Sequence, residues 1–204
     1  MLPEDAPNAG WTRREGAGVY NPAVRWLPLL LLVGCAPSTG LTIHNGTTVS
    51  VAVSGLDGGK VVIDAGTIRR VGDLRAAAKL AAKSTTGPET WATKIELPPP
   101  GGEAIWSIAS NGCFLEGDFT EYYSAPEGLP ATTKLLGMMK EGDEHYVSHG
   151  AVSAGPGERL PSSRRGQDVV ALVQVPCQAT INEPIATGYL EMALFQIQPE
   201  PRER

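Results

Sequence analysis

The chain of 204 residues carries 17 basic and 22 acidic side chains and a formal net charge of −5. This balance excludes a general affinity for DNA or RNA, because that affinity needs a basic surface that displaces the counterions of the phosphates. After residue 34 the basic pairs are Arg69-Arg70 and Arg164-Arg165, which are isolated and indicate solvated surface. We therefore expect no nucleic acid among the partners.

An apolar run at residues 26–33 follows Arg25 and ends in Leu32-Val33-Gly34-Cys35. It is too short to span a bilayer, which takes roughly 20 apolar residues, and it has the length of a signal-peptide core, about 7 to 15. The segment resembles the signal peptide of bacterial lipoproteins, in which a lipobox precedes the cysteine that becomes lipidated. The resemblance implies a diacylated Cys35, cleavage before it and a membrane anchor. A buried apolar segment ending in a core cysteine is the alternative.

The resemblance also divides the chain. It implies an N-terminal extension and cleaved signal peptide at residues 1–34 and a lipidated tether at residues 35–40. The residues that follow predict a β-rich domain at residues 41–198 and a polar tail at residues 199–204. Ala36 follows the cysteine at the position where an Asp would retain a lipoprotein in the inner membrane. The resemblance therefore implies a cell-envelope protein that is anchored in the outer membrane.

Removing Cys35 from the cysteine count leaves an even pair, Cys113 and Cys177. An exported protein occupies a compartment that permits disulfides, so the count predicts a bridge between these two cysteines. Two separately buried thiols, which behave as small apolar side chains, are the alternative.

Three short β-branched runs open the domain, at residues 41–44, 49–54 and 60–63. They are separated by Asn45-Gly46 and by Asp57-Gly58-Gly59. Asn-Gly and Asp-Gly supply the positive φ values that tight turns between antiparallel strands require, so both breaks predict β-hairpins.

A helix is predicted at residues 73–83, because apolar residues recur there with helical spacing. That apolar face consists of Leu74, Ala77, Ala78 and Ala81. The basic residues largely off that face are Arg75, Lys79 and Lys83. Such a basic stripe is typical of a solvated face, and contact with anionic lipid headgroups is the alternative.

The remaining elements are again mostly strands. They are predicted at residues 91–97, 104–110, 113–123, 144–148, 168–175 and 188–197, with a weak second helix at residues 132–140. Asn111-Gly112 predicts a hairpin between two of these strands, and the last two strands are expected to be neighbours. Residues 98–102 mark a long loop or a border between subdomains, and residues 150–166 an exposed loop.

The elements together predict a mainly β protein, an antiparallel β-sandwich with one or two short peripheral helices. No period of about 20 to 50 residues recurs, so a repeat architecture is not expected.

Glu116 and Asp118 form the candidate ligand-binding pair, because residues two apart on a strand share a face. Tyr122 is a candidate third member, as an aromatic platform for a glycan or a partner. Alternation along the strand favours the interpretation that both carboxylates meet solvent. In that interpretation Cys113, Leu115 and Phe119 point inward, and the acidic residues lie on the opposite face.

Other candidates for chemistry fail on geometry or motif. His145 and His149 have the spacing of two helical metal ligands, but the surrounding residues favour a strand, where the rings would lie roughly 13 Å apart. No nucleophile elbow, phosphate-binding loop or dinucleotide motif occurs in the sequence. We therefore assign no catalytic residue, metal or cofactor.

The sequence thus favours a lipid-anchored envelope protein with a binding or structural role, whose partners are the membrane and an envelope protein or glycan. An envelope hydrolase acting on glycan or peptide is the alternative. A hydrolase would show a pocket where carboxylates or His and Ser converge, and a binding module an apolar patch or open sheet edge.

Overall fold

The computed structural model describes residues 39–125, 132–160 and 168–196. Cys35, the signal-like segment, the polar tail and part of the loop predicted at residues 150–166 lie outside the described residues.

The described residues form eleven strands and a few short helices. The strands are β1 (Thr39–Asn45), β2 (Val51–Leu56), β3 (Gly59–Ile63), β4 (Ile68–Leu74), β5 (Ala78–Ser84), β6 (Thr90–Ile95), β7 (Glu103–Ile108), β8 (Cys113–Asp118), β9 (Lys134–Met139), β10 (His145–Val147) and β11 (Val170–Val175). The helices are α1 (Thr120–Ser124), a 3₁₀ helix (Cys177–Thr180) and α2 (Glu183–Gln196).

The strands make three sheets. Sheet A has the order β10-β7-β1-β4, sheet B the order β3-β2-β5-β6 and sheet C the order β11-β8-β9. The pairs between these strands are antiparallel, except that β1 and β7 are parallel. The prediction of a mainly β, antiparallel protein with few short helices is therefore confirmed.

Three apolar clusters show how the layers are stacked. The first joins sheets A and B through side chains such as Ile43, Val53 and Trp106. The second joins sheets A and C through Ile105 and Phe114, and the third joins sheet C to α2. The order of layers is thus sheet B, sheet A, sheet C and α2.

Sheet A is covered on both faces, and every residue of β1 and β7 is buried. Successive side chains of a strand point to opposite faces. Leu41 and Ile43 accordingly pack toward sheet B, whereas Thr42 and His44 point toward sheet C. The boundary between sheets A and C therefore buries polar groups that need hydrogen-bond partners.

None of the helices in the described part of the chain is long and apolar enough to cross a membrane.

The helix predicted at residues 73–83 is wrong: this segment is the end of β4 and most of β5. Leu80 and Ala82 are buried, and Ala81 and Lys83 between and after them are exposed. This period of two is that of a strand covered on one face, and pairing with β2 and β6 overrides the helix preference of alanine.

Two further predictions are wrong because a helix was predicted where a strand forms, and a strand where a helix forms. Residues 132–140, predicted as a weak helix, contain strand β9, and residues 188–197, predicted as a strand, lie largely in α2. Among residues 183–194 of α2, the buried side chains are Ala186, Leu190 and Leu194, which are spaced four apart on one helical face. α2 is also apolar on its outer side, so its sequence lacks a clear helical period.

The hairpin at Asp57-Gly58 is confirmed, with β2 and β3 paired across it and Gly59 at φ 92°. The hairpins predicted at Asn45-Gly46 and Asn111-Gly112 are wrong, because each of these connections leads from sheet A to another sheet. The asparagine side chains instead stabilise these connections between sheets. Asn45 Nδ2 donates to the carbonyl oxygens of Val49 and Ile63, and Asn111 Nδ2 donates to the carbonyl oxygen of Gly46.

Strand β8 ends at Asp118, and helix α1 occupies residues that were predicted to continue the strand to residue 123. Residues 98–102 form the loop from β6 in sheet B to β7 in sheet A. A subdomain border at this loop stays a prediction.

Candidate functional site

Glu116 lies at the centre of β8, the middle strand of sheet C, and its side chain is completely buried. The expectation that this carboxylate meets solvent is wrong. The alternation along β8 is as expected, with Leu115 on the opposite face, but α2 covers one face of the sheet and sheet A the other.

The Glu116 carboxylate is held by two residues at the edge of sheet A, Tyr146 in β10 and His149 just after it. The Tyr146 hydroxyl donates to Oε2 at 2.5 Å. The His149 backbone N–H lies 2.9 and 3.0 Å from the two carboxylate oxygens, and its Nδ1 lies 2.8 Å from Oε2. We call Glu116, Tyr146 and His149 the Glu116 cluster.

Gly137 makes room for the Glu116 cluster. It pairs with Glu116 across the β8–β9 ladder. A Cβ atom at Gly137 would collide with the Tyr146 hydroxyl and the His149 ring. The glycine that weakens a helical interpretation of residues 132–140 is therefore required by the packing of a strand.

The protons of the Glu116 cluster can be assigned from its surroundings. Burial, followed by the hydrogen bond and the charge of Glu116, raises the pKa of the Tyr146 phenol above its ordinary value, so Tyr146 is the proton donor. With Nδ1–H of His149 donating to the carboxylate, Nε2 is the nitrogen left for solvent. The His149 side chain is 61% exposed.

The His149 imidazole is hydrogen-bonded to the Glu116 carboxylate through Nδ1, and its Nε2 faces solvent. Such an imidazole can accept a proton at Nε2, which is what a general base does. Within the described residues, however, the hydrogen-bond partners of the His149 side chain are Glu116 and Tyr146 only. The neighbouring hydroxyl of Ser148 accepts the Glu103 N–H and donates to the Gly150 carbonyl. The arrangement joins sheet C to sheet A, and among the described residues it pairs no Ser or Thr hydroxyl with the imidazole.

Asp118 and Tyr122 lie in different surroundings from Glu116. Asp118 accepts the Thr120 N–H at 2.9 Å and lines a polar cleft of about 480 Å³ together with Glu121, Lys134 and Glu183. Tyr122 belongs to α1 and packs on the apolar cluster between sheet C and α2. The three candidate ligand-binding residues are therefore not brought to one point.

A second buried carboxylate, Glu103, was missed by the sequence analysis. Thr42 donates to its Oε1 at 2.5 Å, and Arg70 lies 3.8 Å from its Oε2. Burial raises the pKa of Glu103 above its ordinary value, against the effects of Thr42 and Arg70. No sequence signal marks this group, because an acidic residue that begins a strand is ordinarily solvated.

His44 forms a third buried polar contact, on the face of sheet A that is turned toward sheet C. Its Nδ1 lies 3.1 Å from the Ser107 hydroxyl, which accepts the Gly112 N–H at 2.9 Å. The Ser107 proton is then free to be donated to a neutral His44 Nδ1. Burial lowers the pKa of His44 below its ordinary value of 6.5.

Acidification will therefore weaken the fold through His44. The unfolded chain takes up a proton near pH 6.5, whereas folded His44 resists protonation, so the free energy of unfolding falls as the pH drops below 6.5. Urea denaturation at pH 7.5, 6.5 and 5.5 should show a smaller pH dependence for His44→Gln than for the wild type. Equal pH dependence in the two proteins would contradict the assignment of neutral His44.

The predicted disulfide between Cys113 and Cys177 is confirmed, with Cα atoms 5.2 Å apart. It links the start of β8 to the 3₁₀ helix that leads into α2. The bridge thereby holds α2 close to the face of sheet C that α2 covers.

The two exposed histidines do not converge. His145 points to solvent from β10, and His149 belongs to the Glu116 cluster. Among the described residues, no group of three or more His, Cys, Asp or Glu side chains is placed to hold a metal ion.

No protein-family model matches the chain, and neither a curated protein nor a solved structure matches it. The function has to be inferred from the residues of this chain alone.

Proposed function

We propose that the protein is a lipid-anchored component of the bacterial cell envelope, held in the outer membrane through acyl chains on Cys35. The observation that carries the proposal is the position of the lipobox-like Leu32-Val33-Gly34-Cys35 relative to the fold. The first strand begins at Thr39, four residues after the cysteine. This is the arrangement of a short tether in front of a folded domain.

The disulfide supports export, because structural disulfides persist in oxidising compartments. Two or three acyl chains would make the attachment effectively permanent, since each buried methylene contributes about 0.8 kcal/mol.

A binding or structural role suits the described residues, because the one carboxylate–histidine contact joins two sheets. An envelope hydrolase acting on glycan or peptide is the alternative, and its acid–base groups would be His149 Nε2 or the carboxylates of the polar cleft lined by Asp118, Glu121 and Glu183. The partners that we propose are the membrane and an envelope protein or glycan.

The test is substitution of the anchoring cysteine. Cys35→Ser should abolish incorporation of a fatty-acid analogue and leave an unprocessed precursor, because lipidation precedes cleavage in this class. Metabolic labelling and the intact mass of the processed chain are the measurements. A wild-type protein that takes up no label, with its amino terminus elsewhere than Cys35, would refute the anchor and the envelope location together.

A further inference from the structure

We propose that one end of the sheet A–sheet B sandwich faces the bilayer, and that a cleft at this end binds the headgroup of a zwitterionic phospholipid. The cleft lies between the β2–β3 turn at Asp57 and the β4–β5 turn at Arg75, and we call it the tether-side cleft. The proposal rests on lipidation of Cys35 and goes further, because it names the surface that meets the membrane and the chemistry of its ligand.

The length of the tether limits how far this end can lie from the membrane. A chain extends at most about 3.6 Å per residue, so the four residues from Cys35 to Thr39 span no more than roughly 14 Å. Thr39 pairs with Leu74 in β4, and its hydroxyl donates to the Leu74 carbonyl. Leu74 lines the tether-side cleft, so the anchored end of the fold and the cleft coincide.

The shape of the tether-side cleft suits part of a lipid. Its volume is about 540 Å³, and its floor includes the apolar side chains of Leu41, Val71 and Leu74, at the edge of the core between sheets A and B. The turn beside it, residues 75–77, is exposed throughout. The floor is therefore able to pack against the apolar part of a ligand while the rim contacts polar groups.

The rim carries charges of both signs. Arg75 and Lys79 are exposed cations, and Asp57 is an exposed anion; among the described residues none of these three forms an ion pair. The fourth charged residue, Asp73, lies 3.9 Å from Arg70. A headgroup with a phosphate and an ammonium group, such as phosphatidylethanolamine, complements two cations beside one carboxylate.

The orientation is tested with the processed protein in vesicles of phosphatidylethanolamine and phosphatidylcholine. A fluorophore is attached to a single added cysteine, either Ala76→Cys beside the cleft or Glu89→Cys near the opposite end of β5. The two positions are separated by at least the length of β5, about 20 Å. Nitroxide lipids labelled in the headgroup should quench the fluorophore at residue 76 and leave the one at residue 89 unchanged.

The headgroup is tested by native mass spectrometry of the processed protein in detergent. Reversal of two rim charges, Arg75→Glu with Lys79→Glu, should lower retention of added phosphatidylethanolamine roughly thirtyfold, which corresponds to about 2 kcal/mol for the loss of two exposed charge contacts. Both side chains are exposed, so the variant should fold, which circular dichroism checks. Lys83→Glu, on the same strand but outside the cleft, is the matched control.

Three results would each contradict a different part of the proposal. A wild-type protein that does not float with vesicles refutes the lipid anchor, and with it the proposed function. Flotation with equal quenching at residues 76 and 89 refutes the orientation alone. Selective quenching at residue 76 with unchanged lipid retention in the charge-reversed variant refutes headgroup binding and leaves the orientation in place.

Discussion

Replacing Glu116 with alanine should lower the free energy of unfolding by about 3 kcal/mol or more. The Tyr146 hydroxyl and the His149 backbone N–H both lose their acceptor. Each buried donor left unsatisfied costs roughly 1 to 3 kcal/mol, and removal of the side chain also leaves a cavity between sheets A and C. The stability of this boundary therefore depends on one carboxylate.

Urea denaturation measures the change, and Glu116→Gln should lie between alanine and wild type, because the amide retains an acceptor oxygen. The control is Glu96→Ala, an exposed acidic residue at which substitution should cost within about 0.5 kcal/mol. A double-mutant cycle with Tyr146→Phe should give a coupling of at least about 0.5 kcal/mol. Equal losses for Glu116→Ala and Glu96→Ala would show that the Glu116 cluster contributes nothing to the fold.

Removing the disulfide should destabilise the protein by about 4 kcal/mol. Cys113 and Cys177 are 64 residues apart, and cross-linking a loop of this length restricts the unfolded chain by roughly that free energy. For a domain of this size the midpoint of thermal unfolding should fall by roughly 8 to 16 °C.

Thermal unfolding of the oxidised wild type, with and without a reducing agent, gives this difference directly. In the double variant Cys113→Ala with Cys177→Ala, the reducing agent should have no further effect. Two thiols that can be alkylated after denaturation of the oxidised wild type would contradict the bridge.

Part of the fold could be predicted because its causes are local. The turn at Asp57-Gly58 follows from residue types that favour tight turns, with Gly59 at positive φ, and here the two flanking strands belong to the same sheet. The strand at residues 168–175 follows from a continuous apolar run, and β11 occupies most of it.

Other assignments failed because the local signal is compatible with two structures. Residues 73–83 contain alanines that satisfy a helical face, but within β5 exposed residues also alternate with inward-facing ones, as in a strand covered on one face. Pairing with β2 and β6 decides between the two, and β2 is distant in sequence. The same holds for α2, whose apolar residues surround the helix.

The candidate site, too, could be predicted only in part from the sequence. Glu116 stays a predicted ligand-binding residue, but its predicted exposure was wrong, since a pattern shows which residues share a face and not whether that face is covered. The contact with Tyr146 and His149 requires sheet A to be stacked on sheet C, and Gly137 to leave space between them.

The sequence by itself determined the predominance of strands, the one tight hairpin and the pairing of Cys113 with Cys177, because each depends on short-range backbone preferences or on a count of reactive groups. Only the tertiary structure decided the order of the layers, the burial of Glu116 and Glu103 and the place of α2. These features depend on which faces of the sheets and of α2 pack against one another. Such packing brings together residues that are far apart in the chain. The free energy that selects among such arrangements comes from burial of apolar surface and satisfaction of buried polar groups, and neither quantity exists until the layers are assembled.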